Sequence, residues 1–250
     1  MNETDVHGYR ELPVPPDLRD ALACMWARRG SGPVRVLPDG CVDIVWRRGE
    51  GAVVAGPDTG PWHSRTEPGE LLIGVRFRPG AGGPALGVPL SELRDRRVAV
   101  SELGLDPREE LHGEADPRAM LRLLEAAAAR LVVTGPPDGA VQAAARRLLD
   151  PTQRVEALAA ELGFSERQLR RRFLTSVGYG PKTLQRVLRL RRFLDAERHD
   201  LARAAFDAGY ADQAHLAREC LRLTGLTPSR LPGADRRPAV GSNALARRHA

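Results

Sequence analysis

VEALAAELGFSERQLRRRFLTSVGYGP runs from Val155 to Pro181, and LARAAFDAGYADQAHLARECLRLTGLTP runs from Leu201 to Pro228. The second stretch is a degenerate copy of the first. Leu169, Phe173, Gly178 and Pro181 recur 47 residues later as Leu216, Cys220, Gly225 and Pro228, and Val155, Leu158, Gly163 and Phe164 recur 46 residues later as Leu201, Ala204, Gly209 and Tyr210. Each copy reads as two short helices around a glycine, whose missing Cβ permits a tight turn. Ser165 and Asp212 stand where the second helix of each copy needs an N-cap. At 100° per residue, Leu169, Arg172, Phe173 and Ser176 share one side of the first copy's second helix, and Arg167, Arg171 and Leu174 lie opposite with Arg170 at the edge. In the second copy Leu216, Cys220 and Leu223 face inward, while Ala214, Arg218 and Leu221 face outward, flanked by His215 and Arg222.

Between the copies, PKTLQRVLRLRRFLDAER (Pro181 to Arg198) opens on a proline suited to a helix start and carries Leu184, Val187, Leu188 and Leu194 as a packing stripe. A helix of about 18 residues would span about 27 Å. Charge sharpens the picture. The chain has a net charge of +6, but residues 1–137 carry 17 basic and 20 acidic side chains, and the whole positive excess falls after them. From Gly163 to Arg192 there are nine basic residues and one acidic, Glu166. Such asymmetry points to a polyanionic partner for the second half.

The stretches LAAELGFSERQLRRRFLTSVGYGPKTLQRVLRLRRF and LARAAFDAGYADQAHLARECLRLTGLTPSRL together resemble the DNA-binding domain of the AraC/XylS transcriptional regulators. The resemblance covers roughly residues 140–231 and implies seven helices, two helix-turn-helix units joined by one long helix, with double-stranded DNA and RNA polymerase as partners. Cys220 departs from it, standing where the family usually has a large aromatic. By the same resemblance the base-reading positions fall on Arg167, Arg170 and Arg171 in the first unit and on Ala214, His215 and Arg218 in the second. Lys182 stands at the start of the linker helix. Arginine can read guanine bidentately in the major groove, whereas alanine can only touch a thymine methyl. For Arg172, Arg189, Arg191 and Arg192, phosphate contact and solvated surface are both open.

The first half has another texture. CVDIVW (Cys41 to Trp46), AVVAG (Ala52 to Gly56) and LLIGVRF (Leu71 to Phe77) read as strands separated by turn formers. Alternation places Cys41, Asp43 and Val45 on one face and Val42, Ile44 and Trp46 on the other. A buried Asp43 would need a partner, with Arg76 and Arg78 as candidates, either as an internal ion pair or as a ligand contact. After Asp106-Pro107, DPRAMLRLLEAAAARLVV places Met120, Leu121, Leu124 and Ala128 at helical spacing, a bridge between domains and a candidate dimer helix. LPDGCVDIVW, GPDTGPW, GVRFRPGA and GVPLSELRDRRV resemble a domain of unassigned function found ahead of AraC-type regions and related to cupin-like sensor barrels. An α+β chain is expected. Residues 1–134 would form an antiparallel barrel or sandwich for sensing or dimerisation, 138–231 an all-α double helix-turn-helix domain, and 232–250 a disordered tail. Asp43, Trp46, Trp62 and Arg76 are the candidate ligand contacts for a small-molecule effector, and a homodimer is a candidate assembly.

Other classes fit poorly. The longest nearly apolar stretch, LLEAAAARLVV, falls well short of the 18 residues a membrane helix needs, and the acidic, proline-broken start lacks the pattern of a secretory signal. Three scattered cysteines, Cys24, Cys41 and Cys220, suggest neither a disulfide framework nor a metal clip, which suits the cytoplasm. His7, His63 and His112 are isolated, and no nucleophile or dinucleotide motif occurs, so neither catalysis nor a cofactor is expected. A metal-dependent or ligand-modifying cupin enzyme carrying a DNA-binding tail is the alternative.

Overall fold

The computed structural model describes residues 8–105, 116–196 and 200–231; the expected tail, His7, His112 and the Asp106-Pro107 break lie outside them. Two hydrophobic cores divide the chain, one built from residues between Val14 and Ala128, the other from residues between Val141 and Leu231.

The first core underlies a six-stranded antiparallel sheet of β1 (Gly8–Leu12), β2 (Leu22–Val36), β3 (Val42–Arg47), β4 (Gly51–Ala55), β5 (Trp62–Phe77) and β6 (Arg97–Ala99). The strand order is β1-β2-β5-β3-β4-β6. β1 and β6 are opposite edges that do not pair, so the antiparallel sheet is as expected but not closed, and barrel or sandwich describes it only loosely. β3 alternates as its sequence demands, burying Val42, Ile44 and Trp46 on one face. The near half of β5, Leu71–Phe77, is apolar almost throughout because both its faces are covered. Ile73, Val75 and Phe77 enter the core, while Leu72 and Arg76 face a cavity on the other side. β2 and β5 are longer than their apolar runs suggest. Their pairing slips between Gly30 and Gly32, where Gly32 takes φ +88°, and beyond that bulge Val34, Val36 and Trp62 line the same cavity as Trp26 and Asp43.

Two helices cover the core face. α1 (Gly82–Leu86) is a single short turn, and α2 (Pro117–Thr134) starts on the N-cap Asp116 with proline at its first turn. Its stripe Met120, Leu124 and Ala128 is fully buried in this core, so the apolar face read from the sequence is already occupied within the chain.

The second core gathers α3 (Gly139–Arg147), α4 (Val155–Glu161), α5 (Glu166–Ser176), α6 (Pro181–Asp195), α7 (Leu201–Asp207) and α8 (Gln213–Thr224), with a 3-10 turn at Pro228–Arg230. That is six α-helices and a turn among the described residues, where the resemblance implied seven helices. α6 is shorter than expected: Ala196 is extended, so the helix holds 15 residues and spans about 22 Å. Leu184, Val187, Leu188 and Leu194 are all buried. Cys220 is fully buried too, so the smaller side chain is accommodated in the second unit's packing.

The two cores are pressed together at backbone distance. A Cβ added at Gly83 of α1 would stand 2.3 Å from the Thr175 carbonyl oxygen at the end of α5. One added at Gly178 would meet Pro57 and the Leu90 carbonyl, and one at Gly40 would meet the Leu184 side chain at 2.7 Å. Arg35 Nη1 donates to the Thr224 carbonyl at 3.2 Å, so the second helix-turn-helix unit is also tied to the sheet domain.

Candidate nucleic-acid interface and cavity

α5 owes its start to a reciprocal cap. The Gln168 backbone N–H donates to Ser165 Oγ at 3.2 Å, and the Ser165 N–H donates to Gln168 Oε1 at 2.8 Å. Ser165→Ala should therefore destabilise the domain by about 1 kcal/mol, read as a shift in the denaturation midpoint; no shift would show that α5 is held by packing alone. Leu169, Phe173 and Ser176 anchor the helix in the core. Gly163, at φ +74°, makes the turn that sets α4 against α5.

The arginines of this half fall into two groups. Arg172 is tied inward: its guanidinium donates to Asp138 Oδ1 at 2.7 Å, the residue that caps α3, and stacks on the Phe164 ring. Arg189 and Arg192 donate to the carbonyls of Pro151 and Leu149, and Arg191 is buried. Arg167, Arg170 and Arg171, by contrast, are exposed on one side of α5, and their side chains make no ion pair or hydrogen bond among the described residues. A folded chain that leaves three adjacent guanidinium groups unpaired on one helix face presents a concentrated positive surface. Arg172 is thus tethered by Asp138 while its side chain stays 41% exposed, which sets it apart from the three unpaired arginines. Lys182 is exposed and pairs with Glu156 at 2.7 Å, which raises its pKa.

In the second unit α8 is capped by Asp212, whose carboxylate accepts from the His215 N–H at 2.6 Å. Leu216, Cys220 and Leu223 are fully buried, and Ala214, Arg218 and Leu221 face out. His215 is half-buried against the Tyr210 ring, and its Nδ1 accepts from the Ala211 N–H at 3.3 Å, which commits that face of the imidazole to the turn. Glu219 locks α8 to α6 through a bidentate pair with Arg186 at 2.7 and 2.8 Å; that hydrogen bonding holds the Glu219 pKa below its usual range.

The cavity lies over the other face of the sheet. Its volume is about 470 Å³, and its walls are mostly apolar. At its floor Arg76, 2% exposed, bonds both Asp43 oxygens at 2.9 Å and lies 3.3 Å from Asp39 Oδ2. Burial opposes the guanidinium's charge, but Asp43 and Asp39 overcome it and hold the pKa above the ordinary arginine value. Arg97 bonds both oxygens of Asp58 and lies 4.2 Å over the Trp62 ring.

Of the candidate contacts, Asp43, Trp62 and Arg76 are thus brought together, with Asp43 and Arg76 forming an ion pair in the cavity floor. Trp46 is not among them: it is 2% exposed in the core on the opposite face, where the period of β3 puts every second residue. Arg78 bonds the Arg19 and Leu22 carbonyls instead of Asp43. Sequence reasoning missed Tyr9, Trp26, Arg28 and Asp39. Alternation along Leu22–Val36 would have put Trp26 and Arg28 on one face, but Arg29-Gly30-Ser31-Gly32 disguises that strand. No three His, Cys, Asp or Glu side chains are grouped as a metal site among the described residues, and no described helix is long and apolar enough to cross a membrane.

Residues 158–232 match the family described as a helix-turn-helix domain, and residues 10–99 match a domain of unknown function. None of the curated proteins matches the chain. Two solved structures of ToxT from Vibrio cholerae are similar over most of their length. One is 8% identical, covering 89% of this chain and 97% of that one with a TM-score of 0.42. The other, bound to an unsaturated fatty acid, is 9% identical, covering 92% and 96% with a TM-score of 0.40.

Proposed function

We propose that this chain is a sequence-specific DNA-binding transcription regulator of the AraC type, without catalytic activity, whose N-terminal domain modulates it through the cavity. The observation that carries the DNA-binding part is the contrast among the arginines: those behind α5 are bonded into the fold, while Arg167, Arg170 and Arg171 stand free on its outer face. The exposed Ala214 and Arg218 make the second unit the poorer reader of sequence, with fewer donors for base edges.

Modulation rests on the segment from Arg35 to Gly40, which faces both ways. Val36, Pro38 and Asp39 line the cavity, Leu37 lines it and packs on the second core, and Arg35 and Gly40 touch the helical domain. A ligand that displaces this segment would shift helices α6 and α8, which it touches through Leu184 and Thr224. RNA polymerase, whose access such a regulator controls, and a second copy of the chain are the further partners of this proposal.

The test is a gel-shift titration of the full chain against its preferred duplex and against random DNA. Arg171→Ala should lose about 1–3 kcal/mol on the preferred duplex and much less on random DNA. Affinity for both should fall steeply with salt, about −0.9 in log-log slope per neutralised phosphate. Salt-independent affinity would overturn DNA binding, and equal losses on the two duplexes would reassign Arg171 to the phosphate backbone.

A further inference from the structure

The polar groups of the cavity do not balance. Most of its cations are matched: Arg76 by Asp43 and Asp39, Arg97 by Asp58, and Arg47 by Glu50 and Glu70. Arg65, unpaired, sits at the exposed rim. Arg28 differs from all of these. It is half-buried in the cavity wall, on the same face of β2 as Trp26, and its Nε and Nη1 are closed off from solvent yet bond to nothing among the described residues. Burial without a facing carboxylate pushes its pKa below the ordinary arginine value. Beside it the Trp26 indole N–H is also buried; it lies near enough to Asp43 to favour the carboxylate's charge but makes no hydrogen bond of normal geometry. The unmatched groups of this wall are therefore donors, and a buried donor left unbonded costs about 1–3 kcal/mol, more when charged.

The surroundings define the rest of the ligand. The Trp26 indole lies flat across Gly74, where an added Cβ would come within 2.3 Å of the ring, and the Tyr9 ring packs 5.7 Å from it. Val34, Val45, Val53 and Leu72 complete an apolar enclosure. Such a wall takes a flat or branched hydrocarbon body and offers it no further hydrogen bonds.

We propose that the cavity binds a small organic anion with an apolar body, its acidic group, carboxylate or sulfonate, held by Arg28 and its body packed against Trp26, Tyr9 and Leu72. This rests on the proposal that the cavity is the regulator's effector site. It adds the chemical class of the effector and the residue that selects it. A neutral ligand would leave Arg28 unmatched, and a cation would face its guanidinium directly.

Two probes with one ring system separate charge from apolar fit: anilinonaphthalene sulfonate and its uncharged relative N-phenylnaphthylamine. All three tryptophans, Trp26, Trp46 and Trp62, lie in the N-terminal domain, and Trp26 and Trp62 line the cavity, so energy transfer from tryptophan is strongest to a probe bound there. In the intact chain the sulfonate should bind at one site and about ten- to hundredfold more tightly than the neutral probe, the range expected of a charge-assisted hydrogen-bonded pair. Arg28→Gln should bring the two probes level and leave the melting temperature near that of the parent chain. Equal affinity of the two probes for the parent chain would overturn the proposal, as would a sulfonate preference that survives in Arg28→Gln. Neither outcome bears on DNA binding, which the Arg171 titration decides separately.

Discussion

Arg76→Ala should be among the most damaging single substitutions in the N-terminal domain, costing about 3–5 kcal/mol of stability. The guanidinium is almost completely buried and serves two carboxylates at once, Asp43 through two hydrogen bonds and Asp39 through Nη1. Removing it leaves both negative charges beside the apolar cavity wall with no cation to offset their lost hydration. An exposed pair would be worth far less, since water screens it and reclaims each partner. The cost should be much smaller in the double variant Arg76→Ala, Asp43→Ala, because the variant no longer buries the carboxylate that Arg76 pairs through two hydrogen bonds. Urea denaturation monitored by tryptophan fluorescence measures both. A single-variant loss below about 1 kcal/mol, or double-variant losses that simply add, would show that the floor of the cavity is wet enough to solvate the carboxylates.

The same pair shows how far sequence reasoning reaches. Asp43 announced itself because it sits in a six-residue strand whose neighbours alternate strictly, so its face and its need for a partner follow from period alone. The helical half was legible for a similar reason: glycine, cap residue and apolar stripe recur in order, and each repetition confirms the others. Trp46 was assigned to the ligand although the same alternation set it with Val42 and Ile44, the residues that fill the core. Arg28 and Trp26 were invisible because their strand runs through Arg29-Gly30-Ser31-Gly32, a composition typical of a loop; it is held as strand only by pairing with β5, some 40 residues away. Asp39 stands in the turn-forming run Pro38-Asp39-Gly40, and its carboxylate accepts from the Cys41 N–H. Its second bond, to Arg76, is a tertiary contact that no local pattern encodes.

Gly83→Ala should have the largest effect on how the two domains work together. Alanine is ordinarily the better helix residue, by about 0.5–1 kcal/mol over glycine, and the backbone of α1 would accept it. Here the added methyl would fall 2.3 Å from the Thr175 carbonyl oxygen and 2.9 Å from the Ser176 Cα. Both are backbone atoms at the end of α5, and neither can swing aside as a side-chain tip could. Relief requires α1 to draw away from α5, loosening the contacts that Gly178 and Leu90 make beside it. A loss of about 3 kcal/mol is expected, at the upper end of the range for overpacking a close contact. Gly87→Ala is the control: at φ +68° it pays backbone strain of about 1–2 kcal/mol, but nothing lies within 4 Å of the new Cβ, so the interface stays closed. The distinguishing measurement is unfolding followed by two signals, tryptophan fluorescence for the sheet domain and far-UV circular dichroism for the helices. In the parent chain and in Gly87→Ala the two transitions should coincide, as they do when a structure melts as one unit. In Gly83→Ala they should separate, and an effector that alters DNA affinity in the parent chain should lose that influence while DNA binding itself persists. Coincident transitions in Gly83→Ala, with the effector's influence intact, would mean that the domains communicate by another route than the seam where α1 meets α5.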